Sequence, residues 1–367
     1  MPRRTVGPHS APGACRTRGQ GLCAECASRG ASNSLTVRKR RLVGVAVLAA
    51  LLVLVAIASI GVGALSISIG EVWHGVFTPS GTPSDELVQT LRIPRTVVAL
   101  IVGVALGVAG ALIQGHTRNP LADTGLLGLN AGAAFLVVIA IYAFGLTIPS
   151  QYVWFALAGS LIAGAVVFGI ASVGSAAATP MTLALAGAAV TLCLQAMTSA
   201  VVVSDIRTLD SYRFWVIGSV AGRGLDIFWQ VLPFIVVGLI LAAANTPALN
   251  VLNLGEDVAR GLGTNVALNR SVGLLAVTLL AGGATAAAGP VAFVGLVVPH
   301  VARAITGPDY RWLVPYAGLL GGLFLLTADV VGRIVVRPAE LDVGIVLALA
   351  GAPFFIALVR KRRLVAL

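Results

Sequence analysis

Long runs of apolar residues follow one another along most of the chain, with short polar stretches between them. From Thr124 to Ser204 the sequence has no Asp, Glu, Lys, Arg or His. A helix needs about 20 apolar residues to cross the hydrocarbon core of a bilayer, so this block alone has room for three spans. The pattern predicts an all-α, polytopic membrane protein. We predict ten transmembrane helices near residues 42–65, 93–115, 126–146, 152–172, 182–203, 227–245, 271–288, 290–305, 313–331 and 342–359.

The composition supports helices in a bilayer over a water-soluble globule or a β-barrel. Only 11% of the residues are charged, whereas soluble domains have about 25%. Barrel strands would show alternating segments of about 10 residues and aromatic girdles, which the sequence lacks. The 43 glycines suit helices that approach one another closely in lipid. The first apolar run, 42–65, is too long for a cleavable signal and is expected to remain as a membrane anchor.

The positive charge is concentrated at the two ends of the chain. The net charge is +11, and residues 1–41 and 360–363 carry all of it, so the interior is close to neutral. Lys and Arg beside apolar helices mark the cytoplasmic side of a membrane protein, so we predict that both termini are cytoplasmic. A nucleic-acid-binding protein would carry such charge on a folded face, so no nucleic-acid partner is expected.

An even number of spans is required if both termini share one side. The extracytoplasmic segments would then be 66–92, 147–151, 204–226 and 332–341, with a tight turn near 288–290; the cytoplasmic loops would be 116–125, 173–181, 246–270 and 306–312. Several arginines fall on the outer side, against the usual bias. An acidic external partner would explain them, and anchoring of helix ends at lipid headgroups is the alternative.

The basic N-terminal segment, 1–41, is expected to be a disordered tail before a membrane domain at 42–363, with a short C-terminal tail at 364–367. Cys15, Cys23 and Cys26, with His9, could complete a tetrahedral zinc site. Their spacing fits no standard zinc module and the segment is rich in Gly, Ser and Arg, so disorder is preferred and no metal site is predicted.

The largest cytoplasmic loop contains a short amphipathic helix. Leu254, Val258 and Leu262 lie at i, i+4 and i+8 and form one apolar stripe. Asn253 is predicted to cap the helix and Gly263 to end it. The stripe must be buried either on the protein's own loops or against another subunit.

The residues that would carry catalysis or ion coupling are missing from the sequence. There is no Walker A sequence, no cluster with metal-ligand spacing in the folded region and no Ser–His–acid arrangement. No catalytic residue is therefore predicted, and ATP and Mg²⁺ would have to be bound by a separate subunit. An ion-coupled secondary carrier is an alternative, but it would need a buried carboxylate in a broken helix. A membrane-anchored structural or sensor protein is a third, although it would not require the amphipathic loop helix.

Several separated segments, in order, resemble the permease family of type II ATP-binding-cassette (ABC) importers for iron–siderophores, haem and vitamin B12. The matching segments are 91–96 (LRIPRT), 110–114 (GALIQ), 118–123 (RNPLAD), 125–128 (GLLG), 255–256 (GE) with Ala259 and 262–263 (LG), 288–300 (AGPVAFVGLVVPH), 328–329 (AD), 339–341 (AEL), 343–344 (VG) and 351–355 (GAPFF). The similarity extends over roughly 42–363.

The resemblance implies the type II permease fold in a bacterial cytoplasmic membrane. It implies a second permease chain, two cytoplasmic ATPases and an extracytoplasmic substrate-binding protein as partners. An iron–siderophore complex would be the cargo, with vitamin B12 or haem as the alternative, and alternating access would be the mechanism.

The resemblance also assigns roles to residues. ATPase coupling falls on Gly255, Glu256, Asp257, Ala259, Arg260, Leu262 and Gly263. Docking of the binding protein falls on Arg92, Arg95, Arg333 and Arg337. The gate and the pathway fall on Pro180, Met181, Thr182, Tyr212, Trp215 and Gly218.

One position departs from the family pattern. The family usually has Pro between Glu-Leu and Val-Gly, where this chain has Asp342. Asp can charge the N-terminus of the tenth span in place of the proline. Its negative charge near Arg333 would weaken contact between Arg333 and an acidic partner.

Overall fold

The computed structural model is helical over the residues that it describes, 19–63, 67–172 and 179–360. Short turns and loops connect fourteen α-helices in this part of the chain. They are α1 Gly19–Gly61, α2 Ile69–Phe77, α3 Pro83–Glu86, α4 Ile93–Thr117, α5 Leu129–Phe144, α6 Pro149–Ser172, α7 Pro180–Ser204, α8 Ile206–Val216, α9 Leu225–Leu252, α10 Glu256–Gly261, α11 Val266–Ala288, α12 Val294–Thr306, α13 Tyr310–Val335 and α14 Val343–Arg360. A π-helix, Leu87–Arg92, joins α3 to α4, and a 3₁₀ turn, Thr124–Leu127, precedes α5.

Each of the ten predicted spans coincides with an apolar helix, which confirms the all-α membrane fold. Seven helices are long and apolar enough to cross a bilayer, and α5, α12 and α14 are shorter apolar helices. The predicted eighth span began at 290, but α12 begins at Val294 because Phe293 takes a left-handed backbone conformation, φ 68°. The 13 residues of α12 rise only about 20 Å, less than the thickness of the hydrocarbon core.

Helix α1 begins at Gly19, well before the predicted start of the first span. The helix includes residues 19–41 of the segment that the sequence predicts to be a disordered tail, and the disorder of that segment stays a prediction. Once a strongly helical span has nucleated, each added residue contributes one hydrogen bond, so the helix extends into the basic segment. His9 and Cys15, and with them the zinc hypothesis, lie outside the described residues, as do residues 364–367. By internal contacts the chain divides into a unit at 1–46 and a unit at 47–367.

Helices α4, α11 and α13 form the centre of the larger unit. About four fifths of the most apolar stretch of α4 and of α11 is buried. Gly103 of α4 meets Gly321 of α13, and Gly110 meets Gly295 at the start of α12. A Cβ atom at Gly110 would lie closer to the carbonyl oxygen of Gly295 than real Cβ contacts allow. The backbones therefore touch directly, as small residues permit in lipid.

Candidate functional site

The loop between α9 and α11 forms the short helix α10, which is bounded by glycines. Gly255 precedes it at φ 118° and Gly263 follows it at φ 78°, and glycine adopts such angles without steric cost. The predicted end at Gly263 is confirmed. The predicted cap at Asn253 is wrong, because Asn253 ends α9 and Gly255 occupies the capping position without a side-chain hydrogen bond.

The apolar stripe of this loop faces away from the protein. Leu254, Val258 and Leu262 are 66%, 47% and 65% exposed. The opposite side of α10 packs inward through Ala259, which is buried with Leu252 and Val266. Of the two alternatives for the stripe, burial on the chain's own loops is therefore wrong within the described residues. The stripe is available to another subunit.

Glu256 attaches α10 to the rest of the molecule. Its carboxylate lies 2.7 Å from a guanidinium nitrogen of Arg270 in α11 and 3.8 Å from one of Arg118, just after α4. Arg260 of α10 completes the cluster at 3.4 Å. Partial burial acts to raise the pKa of Glu256, but the hydrogen bond and charge of Arg270, with the charges of Arg118 and Arg260, lower it overall. Glu256 is therefore ionised near neutral pH.

Asp257 is the exposed charge of α10. Its side chain is fully exposed, and its recorded ion pair is with Arg260, 3.4 Å away. The outer face of the loop thus has an apolar stripe beside a charged edge. A stripe of this kind, with charges at its rim, is the usual composition of a protein–protein interface.

The end of α1, the start of α4 and the end of α13 bring the predicted docking arginines together, but not on an open surface. Arg92 and Arg333 are only 5% and 1% exposed. Arg92 donates to the carbonyl oxygens of Ile60 and Gly61, and Arg333 donates to that of Ser59, at 2.8–2.9 Å. Both arginines are buried because the carbonyl groups at the end of α1 lack helical partners and accept hydrogen bonds from them.

The other two arginines of this group are also engaged. Arg95 forms ion pairs with Asp329 and Glu340, and Arg337 donates to the carbonyl oxygen of Gly63. Asp329 also pairs with Arg333, one helical turn further along α13, as i,i+4 spacing predicts. Arg92, Arg95 and Arg333 border a cavity of about 290 Å³. Docking of an external partner at these residues stays a prediction.

The predicted gate residues lie at the start of α7. Thr179 caps this helix, and its hydroxyl and that of Thr182 bond reciprocally to the backbone in a capping box. Pro180 occupies the first turn, where its missing N–H is no loss. Met181 is exposed. A well-capped helix end with an exposed methionine can serve as a gate, and that role stays a prediction.

The predicted pathway residues lie on α8 and just after it. Tyr212 and Trp215 stack with ring centroids 6.3 Å apart, and Trp215 is buried. Gly218, at φ 79°, closes the turn after α8, and Gly344 at the start of α14 donates to its carbonyl oxygen. Of the three, only Tyr212 lines the hollow that we describe next.

A hollow of about 370 Å³ lies between α5, α7, α8 and the connection after α11. It is lined by Asn130, Ala131, Ala134, Gln195, Thr198, Ser199, Val202, Tyr212, Val216 and Pro290. The carbonyl oxygen of Asn130 accepts a hydrogen bond from Thr285 of α11 at 2.9 Å. Thr198 and Ser199 were missed, although Gln195, Thr198 and Ser199 follow the i, i+3, i+4 spacing of one helix face.

Within the described residues, no three His, Cys, Asp or Glu side chains are grouped so that they could hold a metal ion. The described residues thus include an exposed apolar stripe on the α10 loop, a buried arginine cluster and a hollow with an uncharged lining. This combination on a bundle of ten apolar helices defines a membrane permease.

The comparisons with known proteins agree with this class. The profile of the FecCD transport family matches residues 51–361, and the chain belongs to that family. The permease protein of the ferric enterobactin transport system of Escherichia coli is 40% identical over 327 residues, 89% of this chain and 98% of that protein. The permease protein FhuB of the iron(3+)-hydroxamate import system of Bacillus subtilis is 39% identical over 316 residues, 85% of this chain and 82% of that protein.

A solved structure of an inward-facing, metal-chelate type ABC transporter has the same fold. It superposes with a TM-score of 0.75 and 30% sequence identity, covering 86% of this chain and 98% of that one. The type II importer permease fold expected from the sequence is thus confirmed.

Proposed function

We propose that this chain is the membrane-spanning subunit of an ABC importer that carries an iron–siderophore complex inward across the bacterial cytoplasmic membrane. The relatives named above are permeases for ferric enterobactin and for iron(3+)-hydroxamate, which supports a ferric chelate as the cargo. A haem permease of Yersinia pestis, 37% identical over 319 residues, supports haem as the second candidate, and a cobalamin permease of Halobacterium salinarum supports vitamin B12.

The observation that carries the proposal is the exposed stripe on the α10 loop. Three large apolar side chains outside the bilayer are unfavourable unless a partner covers them. Glu256 holds this loop to α4 and α11, the two most buried helices, so force applied to α10 reaches the centre of the bundle. Two ATPase subunits, one on each permease of a pair, are the partners that we propose for this surface.

The remaining parts of the importer follow from the same orientation. With α10 cytoplasmic, both termini are cytoplasmic and the arginine cluster is extracytoplasmic. A substrate-binding protein would deliver the chelate at that side. The two permeases would then alternate between outward and inward openings as the ATPases close and reopen, with ATP and Mg²⁺ bound by the ATPases alone.

The test is uptake of radioactive iron, supplied as a siderophore complex, by cells in which this chain is the only permease of its kind. Leu262→Asp should abolish uptake and co-purification of the ATPase while the protein remains in the membrane, because it places a charge in the apolar interface. Ile148→Asp makes the same kind of change at an exposed position on the opposite side and should leave ATPase binding intact. Normal uptake with Leu262→Asp would contradict the proposal.

A further inference from the structure

The hollow between α5, α7 and α8 has an uncharged lining. Its polar groups are the amides of Asn130 and Gln195, the hydroxyls of Thr198 and Ser199, and the phenol of Tyr212. No charge can come from α5 or α7, because the sequence between Thr124 and Ser204 contains no Asp, Glu, Lys, Arg or His. The charged residues of α8, Arg207, Asp210 and Arg213, are not among the lining residues, and Arg213 pairs with Asp210 at 3.3 Å. Burial raises the pKa of Tyr212, so its phenol is also neutral in the physiological range.

The hollow lies in the outer half of the permease. Gln195 to Val202 follow the start of α7 by 15 to 22 residues, which corresponds to about 22–33 Å along a helix of about 37 Å. The predicted topology places the start of α7 inside, so the hollow lies near the side from which a substrate arrives. This position, further along α7 than the predicted gate at its start, suits the first contact with a substrate inside the membrane.

Two of the polar groups are held in place. The Asn130 carbonyl oxygen accepts a hydrogen bond from Thr285 of α11, which leaves the amide NH₂ as the end that can donate to a ligand. Tyr212 stacks on the buried Trp215. The Thr198 hydroxyl donates to the carbonyl oxygen of Leu194 at 2.7 Å. The donors left for a ligand are therefore the amides of Asn130 and Gln195 and the hydroxyls of Ser199 and Tyr212, beside the apolar side chains Ala134 and Val202, as in sites for small molecules.

We propose, on the basis of the function proposed above, that this hollow contacts the chelate and fits a ferric tris-hydroxamate with a net charge of zero. Three singly negative hydroxamate groups balance Fe³⁺, and the outer surface of such a complex offers carbonyl oxygens to the NH₂ and OH donors of the lining. A ferric tris-catecholate is triply negative. Burying such a charge without a cation nearby is strongly unfavourable, and the lining supplies none.

The experiment compares two forms of one ferric tris-hydroxamate that bears an amine: an acetylated, neutral form and a succinylated, negatively charged form. Uptake of each is measured with the complete importer, and the ratio of charged to neutral uptake in a variant is divided by the wild-type ratio. The binding protein is the same for the variant and the wild type. Its own preference for one form of the chelate therefore cancels in this quotient.

Gln195→Lys places a cation in the hollow and should raise the relative uptake of the charged form by about fivefold, because attraction between unit charges is strong away from bulk water. Gln151→Lys makes the same change at an exposed position of α6 outside the hollow and should leave the ratio unchanged. Ser199→Lys adds the charge at a second lining position, so the ratio can be measured if Gln195→Lys fails to reach the membrane.

Three results would overturn the inference in distinguishable ways. A ratio that stays at the wild-type value in Gln195→Lys and Ser199→Lys, with uptake continuing, would show that the hollow does not contact the chelate. Wild-type uptake of a ferric tris-catecholate but not of either hydroxamate form would refute the substrate class and leave the proposed iron–siderophore function standing. Uptake of haem or cobalamin alone would refute the proposed function itself.

Discussion

Removing the carboxylate of Glu256 should uncouple ATP hydrolysis from transport. Glu256→Gln keeps the size of the side chain but removes the ion pair between Glu256 and Arg270, whose side chain is only 5% exposed. Loss of one partner from a fully buried ion pair costs about 3–5 kcal/mol, and loss of an exposed pair costs about 0–1 kcal/mol. Because the Glu256 side chain is 27% exposed, we expect a value between these, about 2 kcal/mol.

A loss of about 2 kcal/mol would raise the population in which α10 is detached from α11 by roughly thirtyfold. The ATPases could still bind the apolar stripe, but their movement would reach the bundle less often. The assay is a reconstituted importer in liposomes, in which chelate transported per ATP hydrolysed is measured. We expect this ratio to fall severalfold while ATP hydrolysis continues.

The matched control is Asp257→Asn, one residue along the same helix. Its side chain is fully exposed and lies 3.4 Å from Arg260, so solvent screens this pair and the change should leave the coupling ratio near that of the wild type. The reasoning would be refuted if Glu256→Gln kept the wild-type ratio, or if Asp257→Asn lowered the ratio as much as Glu256→Gln.

Four further outcomes are expected. The pKa of Glu256 is lowered below its usual 4.5, so the ion pair that attaches α10 to Arg270 is retained above pH 4.5 and is lost only on stronger acidification. Coupling measured at pH 5.5 should therefore equal that at pH 7. Gly110→Ala should lower the melting temperature in detergent because its Cβ meets backbone, whereas Gly169→Ala, with open space around it, should leave it unchanged or raise it. Arg92→Glu should destabilise the isolated protein by removing the bonds to α1; an unchanged melting temperature with slower, less salt-sensitive association of the binding protein would favour docking instead. Deletion of residues 2–36 should leave membrane insertion and uptake intact, since the basic cluster that follows still sets orientation; loss of insertion would contradict this.

The spans and the exposed stripe could be predicted because both depend on local patterns. An apolar run of sufficient length must enter the bilayer, and the spacing of Leu254, Val258 and Leu262 fixes their common face. The cap of α10 was mispredicted because Asn253 can either cap α10 or end α9. Helix α9 extends to Leu252, so Asn253 ends α9 and Gly255 takes the capping position of α10. Local sequence does not reveal which helix uses a residue at such a boundary.

The arginine cluster could not be placed from the sequence because its partners are distant along the chain. Arg333 bonds to the carbonyl oxygen of Ser59, 274 positions earlier, and Arg95 bonds to Asp329, 234 positions later. The docking role predicted for these residues stays a prediction. Nothing in the local sequence indicates that backbone carbonyl groups are the acceptors of Arg92 and Arg333. The hollow was missed for a similar reason, since it exists only where three helices meet.

Arg92 and Arg333 bond to the last carbonyl groups of α1, and Arg337 bonds to that of Gly63, just after the helix. Only 11% of the most apolar stretch of α1 is buried, so side-chain packing contributes little to holding this helix. The attachment of the last turn of α1 to the start of α4 and the end of α13 therefore depends on three guanidinium groups, and a change at any one of them should loosen this helix end without disturbing the packing of the central helices.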